Sequence, residues 1–146
     1  WDDIILHEMG HALGFIGTIF DELGLTDGFD FTGANAMGAY SASGLVPVPL
    51  EDGGGSGTAG SHWDKDTFAP NGSAMSNELM TGYVSPAGTL NPLSVLTIGS
   101  LEDLGYDVDY TAADPYTIQP ALMASDEVLV PRPHCITITA PPEFVG

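Results

Sequence analysis

The chain holds 146 residues, with twenty acids against two bases and a formal charge of −18. So few Lys and Arg exclude a free-standing nucleic-acid binder, whose phosphate contacts need them, and argue against docking on anionic membranes. Hydrophobic residues make up 43% and charged residues only 15%, so this is not an acidic disordered tail, and no apolar run reaches the roughly 18 residues of a membrane span.

Nineteen Gly and eleven Pro point to one loop-rich domain. The chain starts at Trp1 inside a strongly patterned segment and is read as a piece of a larger protein. Residues 2–16 read DDIILHEMGHALGFI. Helix-spaced apolar residues and an acidic first turn, Asp2 and Asp3, predict a helix over 2–14. FDELGLTDGFDF is turn-rich, and GANAMGAYSA at 33–42 is a short helix candidate. The two prolines of LVPVPL confine any strand there to a sheet edge. EDGGGSGTAG at 51–60 can only be a loop, and its position just ahead of His62-Trp63 marks it as a functional one. Residues 62–84 have weak periodicity and predict irregular structure. A second helix is expected over 91–105, with Asn91 as N-cap, Pro92 in the first turn and Gly105 just past the end. Beyond about 116 the pattern loosens, and EVLV and ITIT are strand candidates in a linker or a following β-rich segment, 117–146.

His7-Glu8-Met9-Gly10-His11 is an H-E-x-x-H sequence. Residues four apart share one helix face, so both imidazoles can address one metal, with Glu8 beside them to take a proton from a polarised water. The motif also arises by chance on exposed helices. Here the remaining positions of the helix are apolar, and two His and a Glu facing a core without a ligand would be costly. A catalytic zinc needs three protein ligands. The remaining His are His62 and His134, and Glu22 and Asp64 are weaker alternatives.

The segment His7 to Phe15 resembles the start of the metzincin signature H-E-x-x-H-x-x-G-x-x-H/D, but Gly17 stands where the last ligand should be. In leishmanolysin-like peptidases an insertion separates that glycine from the third His. His62-Trp63, then Asn77-Glu78-Leu79-Met80-Thr81-Gly82, follow in the order expected of that family, and the likeness to its bacterial members covers about residues 1–116. The resemblance implies an α+β metzincin-like zincin fold lacking its N-terminal sheet here: an active-site helix, a long insertion (18–61), a Met-turn and a C-terminal helix. It implies His7, His11 and His62 as ligands of one catalytic zinc, Glu8 as general base, Met80 as the Met-turn residue and Gly14 at the active-site turn. Trp63 and Glu78 are candidates for a supporting shell around the ligands, although Glu78 could equally cap a turn. The substrates implied are proteins or peptides, and the location implied is extracellular or at the cell surface, in keeping with the acidic composition.

Other candidates are weaker. Tyr83, three after Met80, is read as packing, and Met9, Met37 and Met75 as core filler. Asp107, Asp109 and Glu51-Asp52 match no EF-hand, so calcium is unsupported. His134 and Cys135 carry no motif. The alternative to a zinc endopeptidase is a non-enzymatic adhesion module on a zincin scaffold, which would have no use for Glu8.

Overall fold

The computed structural model describes residues 2–41, 43–66, 75, 77–83, 85–86 and 88–117. The strand candidates EVLV and ITIT, with His134 and Cys135, lie outside the described residues. The described part combines helices with a small antiparallel sheet, in keeping with an α+β class.

Helix α1 spans Asp2–Ala12, two residues short of the expected end. It stops because Gly14 enters the left-handed region at φ +101°. The Gly14 N–H then donates to the His11 carbonyl and the Phe15 N–H to the Gly10 carbonyl, the paired bonds of a Schellman cap. Gly10 is the buried residue of α1. Ile5 and Met9 stay 58% and 46% exposed, so Met9 is not core filler.

Helix α2, Gly17–Glu22, was not expected from the sequence, and its second half falls at the start of the segment read as turn-rich. No side chain caps it, so its sequence carries no start signal, and burial of Phe20 in the core holds it. Strands β1 (Thr26–Asp27) and β2 (Asp30–Phe31) form a tight hairpin, with Gly28 at φ +66° in its two-residue turn. Helix α3 (Ala34–Tyr40) follows, within the expected span. Strand β3, Val48–Pro49, pairs with the free side of β2 and so takes the sheet edge, as its prolines require.

Past β3 the chain doubles back. Leu50 bridges Trp63, Glu51 N–H donates to the His62 carbonyl, and Asp64 N–H to the Pro49 carbonyl. The glycine-rich segment is thus the tip of a hairpin-like excursion that returns the chain at His62. Residues 77–83 carry no helix or strand, as their weak periodicity suggested.

Helix α4 runs Val95–Asp103, and its N-cap is Ser94 rather than the expected Asn91. Ser94 Oγ accepts from the Leu96 N–H, whereas Asn91 accepts from Ser85 N–H and donates to Asp3 and to the Asn77 carbonyl. The carbonyls of Pro92 and Leu93 serve Leu79 and Asp114, so they cannot join a helix. Gly105 closes α4 at φ +99°, at the expected place. A short 3₁₀ turn at Tyr110–Ala112, capped by Asp109, completes the fold.

α3 and α4 pack closely, and a Cβ on Gly99 would lie 3.0 Å from the Asn35 backbone. Asp103 on α4 accepts from the Asn35 and Ala36 N–H groups, capping α3 from outside. Between helices and sheet sits an edge-to-face aromatic core. Phe15 lies 4.8 Å from Trp63, Phe20 4.8 Å from Phe31, and Phe31 5.6 Å from Trp63, ring centre to ring centre. Trp63 is fully buried there, which fixes the backbone next to His62.

Candidate metal centre

Two elements deliver three imidazoles to one point. His7 and His11 lie one turn apart on α1, and His62 comes from the start of the returning hairpin arm. Their Nε2 atoms are 3.1 Å (His11 to His7), 3.2 Å (His11 to His62) and 3.3 Å (His62 to His7) apart.

The other ring nitrogen of each decides what those short distances mean. His7 Nδ1 lies 2.8 Å from the Leu79 carbonyl, His11 Nδ1 2.8 Å from the Phe15 carbonyl, and His62 Nδ1 3.0 Å from the Thr58 carbonyl. A carbonyl oxygen only accepts, so each Nδ1 carries the hydrogen. In the neutral rings all three Nε2 lone pairs then converge with no hydrogen between them. Such a cluster repels itself unless a cation sits among the lone pairs. Zinc bonds of about 2.0–2.1 Å in a tetrahedral site put ligand nitrogens roughly 3.3 Å apart, so zinc fits this donor set. Backbone carbonyls fixing the tautomer and aim of each ring are the usual support of a metal-binding histidine.

His62 is only 6% exposed. Burial lowers its pKa, opposed by its bond to the Thr58 carbonyl, so the neutral, metal-binding form is favoured. Glu8 is exposed on α1, and its charge acts on the His62 ring. Met80 is fully buried against Gly10, and its carbonyl accepts from the Trp63 N–H. Gly14 acts through its turn, which swings the Phe15 carbonyl back onto His11.

Trp63 and Glu78, the candidates for a supporting shell, are both tied into the core. The Trp63 ring is packed in the aromatic core and its Nε1–H donates to Thr97. The Glu78 carboxylate, also fully buried, takes its hydrogen bonds from Met80, Ser94 and Thr97 rather than from an imidazole. Tyr83 is 56% exposed under the Lys65 ammonium, so the expected packing role is incorrect. Asp109 caps the 3₁₀ turn and Glu51 binds the Gly53 N–H, which gives both a structural use. Asp64, the weaker alternative ligand, accepts from the Asp66 N–H. Among the described residues, His7, His11 and His62 are the group of three placed to hold a metal ion.

Sequence reasoning missed the three supporting carbonyls, since a backbone oxygen leaves no mark in the sequence. It also missed Gly10, whose signal was visible as a glycine inside a helix.

Residues 3–120 match the model of the leishmanolysin family, a family of peptidases. The chain belongs to the leishmanolysin family. It is 33% identical over 119 residues to a leishmanolysin homolog of Crithidia fasciculata, covering 70% of this chain and 16% of that protein. It is 30% identical over 127 residues to leishmanolysin of Leishmania major, covering 76% of this chain and 19% of that protein. The leishmanolysin of Leishmania donovani matches at the same identity, with 20% of its length covered. The chain therefore spans about a fifth or less of the curated relatives it matches. No solved structure gives a significant match. No helix among the described residues is long and apolar enough to cross a membrane.

Proposed function

We propose that this chain is the zinc-binding part of a metzincin-type endopeptidase that hydrolyses protein or peptide substrates at the cell surface or outside the cell. The observation that supports it most is the convergence of three Nε2 lone pairs, each ring held by a carbonyl, in a chain of the leishmanolysin family. His7, His11 and His62 would hold one zinc. When bound, the ion supplies Lewis acidity that polarises the scissile carbonyl and makes water a nucleophile near neutral pH.

The chain's own residues supply the rest. Glu8 takes a proton at its exposed carboxylate from the attacking water and gives it to the leaving amine. Met80 packs beneath the three imidazoles as the Met-turn residue, and Gly14 ends the active-site helix. Helix α4 takes the place of the C-terminal helix that follows the Met-turn in this class. Residues 1–116 form the zinc-binding half of the catalytic domain, and 117–146 a linker or the start of another segment.

The test is Glu8→Gln in the full-length protein. It should bind zinc at wild-type stoichiometry and lose on the order of 10²–10⁴-fold in peptide hydrolysis. A zinc-replete wild type with no turnover on any peptide would point instead to a non-enzymatic module.

A further inference from the structure

The buried Glu78 carboxyl group takes four hydrogen bonds. Its Oε2 accepts from the Met80 N–H at 2.6 Å. Its Oε1 accepts from the Ser94 N–H at 3.2 Å, from Ser94 Oγ at 2.6 Å and from Thr97 Oγ1 at 2.6 Å. The Met80 and Ser94 N–H groups can only donate. Ser94 Oγ already accepts from the Leu96 N–H, and Thr97 Oγ1 from the Trp63 Nε1–H, so both hydroxyl hydrogens are left to donate to Glu78. Two backbone N–H groups and two hydroxyls face the carboxyl, so both of its oxygens have hydrogen-bond partners. It lies at the N-terminus of α4, where the helix dipole favours an anion. Burial raises its pKa, by more than the hydrogen bonds from Ser94, Thr97 and Met80 lower it.

The bonds run outward to two of the three histidines. The residue between Glu78 and Met80 is Leu79, whose carbonyl accepts from His7 Nδ1. Thr97 receives the Trp63 ring, and the Trp63 N–H is tied to the Met80 carbonyl, so the residue next to His62 is held at both ends. Ser94 caps α4 and Thr97 lies on it, and α4 docks on the aromatic core. We infer that Glu78 is a positioning residue: its buried carboxylate locks the turn at 78–81, α4 and Trp63 into one unit that aims His7 and His62 at the metal. A neutral hydrogen-bonded turn would close this loop equally well. A fully buried carboxyl group that ties the turn to α4, with Trp63 joined through Thr97, gives the rigid support that precise ligand placement uses.

This rests on His7, His11 and His62 being metal ligands. The test measures metal binding rather than hydrolysis, in full-length Glu78→Gln and Thr97→Val proteins. Glutamine keeps the shape but turns an NH₂ toward donors. Zinc affinity by chelator competition should fall about 10–100-fold in Glu78→Gln. The visible spectrum of the cobalt-saturated protein should shift, reporting altered ligand geometry in folded, fully loaded molecules. Thr97→Val, which cuts the bond to Trp63 and one bond to Glu78, should move both readouts the same way by less, and should be non-additive with Glu78→Gln. If Glu78→Gln does not fold, Thr97→Val carries the test alone. Wild-type affinity and an unshifted cobalt spectrum in the folded variants would overturn the inference. A wild type that binds no zinc would sink the metal-site reading itself.

Discussion

Gly10 lies directly on Met80: a Cβ on Gly10 would come within 2.5 Å of Sδ and 2.8 Å of Cε. Helix α1 therefore approaches the turn at 78–81 as closely as only glycine permits, and Met80 keeps no exposed surface. A thioether is usually easy to displace; this one has no exposed surface, so it must push a neighbour or move into the small cavity that it lines with Gly10, Leu13 and Leu101.

Gly10→Ala sets two effects against each other. Alanine gains about 1 kcal/mol of helix propensity. Overpacking a closed core costs about 1–3 kcal/mol. We expect a net loss of stability of up to about 2 kcal/mol by denaturant titration, and weaker zinc binding because His7 moves relative to Leu79. Adding Met80→Ala should recover part of the stability, since the two sites touch. A Gly10→Ala protein of raised stability and unchanged zinc affinity would contradict the close approach.

Gly54→Val tests the loop that leads into His62. Gly54 has φ +76°, and its Cβ would lie 2.9 Å from Thr58 Cβ, whose residue supplies the carbonyl for His62 Nδ1. Gly55 has a similar φ of +82° but open space around it. Both substitutions strain the backbone by about 1–2 kcal/mol, and only Gly54→Val pushes on Thr58. Zinc titration should therefore show a larger loss of affinity for Gly54→Val than for Gly55→Ala. Equal affinities would show that the loop does not act through Thr58.

Much of this centre could be read from the sequence, because side chains at fixed spacing leave a pattern. The i, i+4 histidines needed only a helix. His62 needed the family order of motifs, since nothing local distinguishes it from an idle loop histidine. The supporting carbonyls of Leu79, Phe15 and Thr58 left no pattern at all. Glu78 was visible as a residue but not as a buried carboxyl group, since burial is set by packing over Met80, Ser94 and Thr97. Helix α4 began later than expected because a tertiary demand, the Glu78 cage, recruited Ser94 over the equally good local cap Asn91.

Replacing His62 should cost far more metal than replacing His134. His62→Ala leaves only the α1 pair of nitrogens and opens a buried pocket beside them. Zinc affinity should drop by at least about tenfold, and hydrolysis with it, whereas His134→Ala, in the region without a motif, should match wild type in both. A zinc-replete, active His62→Ala protein would remove His62 from the ligand set.

The charge of −18 gives the final expectation, which concerns substrates. A field of that sign concentrates cationic peptides at the surface and repels acidic ones, mainly by changing association rates. Screening shortens its reach to about 10 Å at 0.1 M salt and about 3 Å at 1 M. A bound zinc ion and its three neutral histidines offset only two of those charges. The ratio of kcat/KM for a Lys-rich peptide over a Glu-rich one should therefore exceed one at low salt and fall toward one as salt rises. KM and the association rate should carry the change, with kcat nearly constant, because the acids act at a distance from the bond being cut. A preference for Glu-rich peptides at low salt, or a salt-independent ratio, would mean that local pockets rather than the overall charge select the substrate.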